Sequence, residues 1–148
     1  MYDYKKSKEA IESILVSPTK IVEKENIPSS DAEFTYENGI KAWVGALFVD
    51  IVDSSNLFKS PNEDTARIIR SFCSEIISIL KDDNNYREIG IRGDCVYCIY
   101  NAPYQTDLVY IFRHAYRINS FMGMLNKLLK KNGYSTIRAG IGLGCSQD

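Results

Sequence analysis

Histidine and tryptophan occur once each in the 148 residues, proline four times, and neither sign of charge is in excess. Basic and acidic residues are mixed along the chain and sum to −1. The broad basic footprint of a nucleic-acid binder is therefore missing, and no nucleic-acid partner is expected. No apolar run approaches the ~20 residues that span a bilayer, so no membrane partner is expected either. The first residues, Met1 to Lys6, lead into a charged segment and not into an apolar signal core, which predicts a cytoplasmic protein. In that setting the four cysteines read as reduced thiols. Cys95 and Cys98 form a C-x-x-C, but no second pair accompanies them. Residues three apart on a strand also face opposite sides, so neither a zinc nor a redox site is predicted. The lone His114 lies beside Arg113 and Arg117 on the expected polar side of a helix, which predicts a solvated side chain and no catalytic base. Internal repeats and low-complexity tracts are also absent.

What is present is an ordinary globular composition, 45% apolar and 25% charged, of a length that suits one core. Residues 5–15 predict a short helix with Ala10, Ile11, Ile14 and Leu15 on one side. The proline and serine of Ile27-Pro28-Ser29-Ser30 read as punctuation. Residues 1–36 are thus expected to be an N-terminal helix and linker, and residues 37–148 the domain that carries the chemistry.

Within that domain, Ala42 to Val52 is an apolar, β-branched run that predicts a buried strand. Ser60 reads as a cap, Pro61 as the first helical residue and Glu63 as the partner in a capping box. Ala66, Ile69, Phe72, Cys73, Ile76 and Leu80 follow at helical spacing. Tyr86–Ile91 and Cys95–Tyr100 predict two strands joined by a turn at Arg92-Gly93-Asp94. A long helix from about Thr106 should bury Leu108, Ile111, Phe112, Ala115, Ile118, Met122, Leu125 and Leu129. Lys130 and Lys131 suit its end, and Gly133 should stop it. Ser135 to Gly144 predicts the last strand. The order βαββαβ is the α+β, ferredoxin-like arrangement, an antiparallel sheet with two helices on one face. That arrangement hosts many chemistries and does not itself specify one.

The chemistry is carried by two carboxylates. Asp50 closes the apolar strand, and Asp94 sits at the hairpin tip. The first strand lies beside the hairpin in this topology, so both side chains are expected at one edge of the sheet. Carboxylates that close repel each other unless a cation lies between them. Hard oxygen donors select Mg²⁺ or Mn²⁺, and two such ions suit displacement at phosphorus. After Asp50 comes a short polar turn, Val52-Asp53-Ser54-Ser55-Asn56, whose N–H groups and hydroxyls suit phosphate oxygens. Taken alone, either aspartate is an ordinary strand-end or turn residue.

Phe48-Val49-Asp50-Ile51-Val52-Asp53-Ser54-Ser55 resembles the first metal motif of the class III adenylate and guanylate cyclases. Gly93-Asp94-Cys95-Val96-Tyr97-Cys98 is similar to their second. Ile137-Arg138-Ala139-Gly140-Ile141-Gly142-Leu143-Gly144 resembles their later strand, whose arginine holds the triphosphate. Equal intervals of 44 residues separate Asp50, Asp94 and Arg138. The resemblance covers residues 40–148. It implies a nucleotidyl cyclase catalytic domain acting on a nucleoside triphosphate, with two Mg²⁺ or Mn²⁺ ions. Asp50, Asp94 and the Ile51 carbonyl would be metal ligands. Asp53, Ser54, Ser55, Asn56 and Arg138 would meet the phosphates. It also implies a homodimer with shared active sites.

The chain departs from the family in three places. Asp53 stands where many relatives have glycine. Purine-selective relatives carry Lys or Glu three places before the glycine of the second metal motif, and Gly90 stands there, with Arg92 nearby. This favours a likeness to the bacterial Pycsar cyclases, which cyclise UTP or CTP as an antiphage signal. Finally, the family continues beyond Gly144 with two strands and a helix, so the C-terminal part of the domain is expected to be missing. Two other readings stay open: an adenylate or guanylate cyclase with an atypical base pocket, and an inactive cyclase-like module for nucleotide binding or dimerisation.

Overall fold

The computed structural model describes residues 2–30, 38–59, 62–82 and 84–147. The element order is α1 (Tyr4–Val16), β1 (Lys20–Glu23), β2 (Asn38–Lys41), β3 (Trp43–Ile51), α2 (Ser54–Phe58), α3 (Glu63–Leu80), β4 (Tyr86–Arg92), β5 (Cys95–Asn101), α4 (Gln105–Lys131) and β6 (Ala139–Gln147). Four strands form an antiparallel sheet in the order β4-β5-β3-β6. This is the ferredoxin-like arrangement expected from βαββαβ.

Alternation along the strands makes the two faces of the sheet unlike. Leu47, Val49 and Ile51 of β3 and Val96, Cys98 and Tyr100 of β5 are buried. They pack in one cluster with Phe72 and Ile76 of α3 and Ile118 and Leu125 of α4. Phe48 and Asp50 alternate with that set and lie on the opposite, open face.

Each helix differs in detail from its sequence pattern. Ser60 and Pro61 lie outside the described residues, and the cap of α3 is Asn62, whose side chain accepts from Thr65 N at 2.9 Å. The buried stripe runs through Thr65 and Ile68, while Ala66 is exposed and Ile69 half-buried. Thr65 tolerates burial because its hydroxyl bonds to Leu57 O and Asn62 Oδ1. In α4, Leu108 and Phe112 are exposed, against expectation, and Phe121 is buried. His114 is the larger correction. It is 3% exposed, stacks on Tyr100 and bonds to its hydroxyl at 3.0 Å. A polar partner in the core offsets the desolvation that the expectation of a solvated histidine assumed. Gly133 does end the helix, at φ 80, with Lys130 and Lys131 in the last turn.

The last strand starts later than Ser135. Asn126 clamps the backbone of Ile137 at both its N–H and its C=O, so the chain enters β6 only at Ala139. Helix α1 has no buried residue, and its apolar side is open. Residues 20–28, within the expected N-terminal segment, make contacts with the rest of the chain. β1 pairs in parallel with β2, Ile27 N donates to Asn101 Oδ1 at 2.8 Å, and Arg87 Nε donates to Pro28 O at 2.7 Å. The boundary between residues 36 and 37 lies outside the described residues.

Candidate active site

Asp50 reaches the open face because β3 buries Val49 and Ile51 on either side of it. Asp94 is presented by the β4–β5 turn, where Gly93 has φ 64, the left-handed conformation a tight hairpin needs at no steric cost. Pairing of Val49 with Val96 sets Cys95 beside Asp50 and the turn just beyond. The two carboxyl groups are near enough for the charge of one to bear on the other. Partial burial, then the charge of Asp94 and its hydrogen bond, hold Asp50 above the ordinary carboxylate range, and the Ile51 backbone opposes the shift. Asp94 Oδ2 is buried and has no hydrogen-bond partner.

Two facing carboxylates, one with an orphaned oxygen, are a poor arrangement without a cation and a good one with it. Among the described residues, no cluster of three or more His, Cys, Asp or Glu side chains forms a closed metal cage. Mg²⁺ and Mn²⁺ need no such cluster: they are held by one or two carboxylates, which the Asp50–Asp94 pair supplies, and complete their shells with water and substrate phosphates. The donor set therefore fits the ions the sequence implied.

The turn after Asp50 lies at the same end of the sheet. Val52 N donates to Arg138 O at 2.9 Å, which pins the start of β6 beside it. Asp53 adopts φ 58, a conformation that favours glycine but that aspartate tolerates. Its carboxylate turns to Arg138, Oδ2 to Nη2 at 3.2 Å, with both side chains exposed. Ser54, Ser55 and Asn56 form the short helical turn α2. The fold thus gathers Asp50, Asp53, Asp94 and Arg138 from three segments at one sheet end.

Gly90 and Arg92 stand on β4, with Gly90 paired to Tyr97. A Cβ at Gly90 would come within 2.4 Å of the Tyr97 ring. Tyr97 was not singled out from the sequence. The available signal was an aromatic residue placed symmetrically across the hairpin from an edge-strand glycine. Cys95 and Cys98 face opposite sides, as expected, and none of the four cysteines is in a disulfide. Burial first, then the Asp50 and Asp94 charges, raise the Cys95 thiol above its usual range, which disfavours a thiolate. No helix among the described residues is long and apolar enough to cross a membrane.

No protein-family model matches the chain. A uridylate cyclase of Treponema porcinum is 43% identical over 148 residues, covering 99% of this chain and 51% of the relative. A uridylate cyclase of Gulbenkiania mobilis is 29% identical over 150 residues, covering 96% of this chain and 58% of the relative. The chain therefore spans about half the length of these curated relatives. Among solved structures, a class III adenylyl cyclase-like ATP-binding protein from Pseudomonas aeruginosa superposes with a TM-score of 0.65 at 19% identity, over 97% of this chain and 33% of that one. The described residues have the core of the class III nucleotidyl cyclase fold, and the sequence is similar to uridylate cyclases along nearly its whole length.

Proposed function

We propose that this chain is the catalytic core of a uridylate cyclase, which converts UTP to 3′,5′-cyclic UMP and pyrophosphate. The supporting observation is the Asp50–Asp94 pair, with its orphaned Oδ2, in a chain 43% identical to a uridylate cyclase. In the reaction, the ribose 3′-oxygen forms a bond to the α-phosphorus. The bond from that phosphorus to the β-bridging oxygen breaks, pyrophosphate leaves, and the 3′-hydroxyl proton passes to solvent.

Asp50, Asp94 and the Ile51 carbonyl would hold two Mg²⁺ or Mn²⁺ ions. When bound, these ions acidify the 3′-hydroxyl and offset charge on the phosphates. The rest is positioning. Arg138 leaves Asp53 for the triphosphate, an exchange of one exposed contact for a charge-assisted one. Asp53, Ser54, Ser55 and Asn56 border the phosphates. The domain is taken to run from residue 37, after an N-terminal helix and its connection. The active form is a homodimer in the cytoplasm, and the cyclic nucleotide serves as an antiphage signal, as the Pycsar likeness suggests.

The test is incubation of the full-length protein with Mn²⁺ and each of UTP, CTP, ATP and GTP, with cyclic products read by mass spectrometry. The doubly substituted Asp50→Ala, Asp94→Ala protein serves as the blank. Cyclic UMP from the unaltered protein alone is the expected result. Cyclic AMP or GMP instead would keep cyclisation and refute the pyrimidine assignment. No product from a folded dimer would leave a nucleotide-binding module.

A further inference from the structure

The open face of the sheet carries an aromatic strip that the metal and phosphate residues do not account for. Phe48 and Tyr97 are direct cross-strand partners on β3 and β5, and their rings lie 6.1 Å apart at 26°. On its other side Tyr97 pairs with Gly90 of β4 and extends over it, into space that any Cβ there would occupy. The Tyr97 hydroxyl donates to Glu88 Oε1 at 2.5 Å, which anchors the far edge of the ring. Arg92, on the same face of β4, lies close to that hydroxyl. The strip thus crosses three strands, and its ring is fixed at both ends. Phe48 remains 47% exposed, so the aromatic surface is available. Asp50 follows Phe48 by two residues on the same face, about 7 Å along the strand. The aromatic strip and the carboxylates thus share the open face of the sheet.

Resting on the cyclase reading above, we propose that Tyr97 is the specificity-determining contact for the base. Its ring, laid over Gly90 beside Phe48, stacks on a single-ring base and fills the depth that the second ring of a purine requires. Gly90 takes part by having no side chain: it leaves the bed in which Tyr97 lies. The same residues explain why a hydrogen-bonding side chain is not needed at position 90. Selection here is by shape, with Glu88 holding the ring. A purely structural role is the competing account, because aromatic rings also cover edge-strand glycines to repair the sheet. Such a role would change stability and leave base preference alone.

The two accounts separate in a binding experiment that needs no turnover. Calorimetry with Mn²⁺ and the 3′-deoxy analogues of UTP and ATP, which lack the attacking oxygen, gives the ratio of their Kd values for the full-length protein. Tyr97→Ala should reduce the preference for the uridine analogue by about tenfold, because it opens the space that the ring denies to a second ring. Tyr97→Phe should keep the ratio within about twofold, because the ring remains. If the alanine variant does not fold, Tyr97→Leu covers Gly90 with a shorter side chain and should show the same loss. An unchanged ratio in both Tyr97→Ala and Tyr97→Leu overturns the proposal, as does an unaltered protein with no preference. The cyclase reading fails separately. A protein that makes no cyclic nucleotide yet shows the Tyr97-dependent ratio keeps the base contact and loses the reaction.

Discussion

The two faces of the four-stranded sheet are built by the same strands and obey different rules. On the helix side, Leu47, Val49, Ile51, Val96 and Cys98 are buried and apolar. On the open side the alternating positions are Phe48, Asp50, Cys95 and Tyr97, flanked on β6 by Gly140 and Gly142, which pair with Asp50 and Phe48. One face minimises free energy by excluding water. The other keeps two carboxylates close, at an electrostatic cost that folding alone does not recover. A sheet can hold such an arrangement because a strand's two faces are chemically independent at a period of two. The comparison therefore predicts that substitutions on the two faces fail in different ways.

The largest effect is expected at the carboxylates. Asp94→Ala should lower cyclic nucleotide formation by at least ~10²–10³, the scale for removing an electrostatic catalytic group. Folding should be unimpaired without metal, because the substitution relieves repulsion and removes a buried unpaired oxygen. Leu47→Ala, three residues before Asp50 on the other face, should do the reverse. It should cost about 2–5 kcal/mol of stability through the cavity it leaves. At temperatures where the variant is folded, its activity should stay near that of the unaltered protein. Denaturant titration alongside the cyclase assay reads both. An Asp94→Ala protein that unfolds, or a folded Leu47→Ala protein with no activity, would erase the distinction between the faces.

A smaller effect tests a buried polar pair on the helix side. Tyr100→Phe removes the hydroxyl that meets the buried His114 at 3.0 Å. It should cost about 0.5–1.5 kcal/mol, the net contribution of one hydrogen bond. Activity at low temperature should be unaffected, since this pair lies under the sheet and the carboxylates lie on the other face. A loss below 0.5 kcal/mol, roughly the floor for a net hydrogen bond, would mean that His114 is satisfied without Tyr100.

The pair also shows what a sequence reveals. The alternation in β3, the hairpin turn and the spacing of Asp50, Asp94 and Arg138 are local patterns, and the structure keeps them. The neighbours of His114 in sequence, Arg113 and Arg117, are polar and predict a solvated side chain, while a partner that admits it to the core, Tyr100, sits on β5. Thr65 is buried for the same reason, its hydroxyl answered by Leu57 from a different element. Leu108 and Phe112 fit the helical period but are exposed, because periodicity gives the direction of a face and not how far the sheet extends beneath it. The docking of residues 20–28 depends on Asn101 and Arg87, each more than fifty positions away. Tyr97 over Gly90 is a cross-strand contact, visible only once the register is known.

The smallest effect concerns Asp53, where the two requirements of the open face conflict. Its backbone at φ 58 suits glycine, and its carboxylate adds negative charge at the turn proposed for phosphate. Against this, it holds Arg138 near that turn at 3.2 Å. Asp53→Gly removes the backbone strain but increases the entropy of the unfolded chain, so stability should change by less than about 1 kcal/mol. The exposed ion pair contributes at most about 1 kcal/mol, which corresponds to roughly fivefold in affinity. If its main consequence is to occupy Arg138, the variant should lower KM for UTP by up to about fivefold with kcat little changed. If its consequence is to aim Arg138 at the triphosphate, KM should rise and kcat should fall with it. Steady-state kinetics on the one variant decide between these, because freeing the arginine and misplacing it move KM in opposite directions.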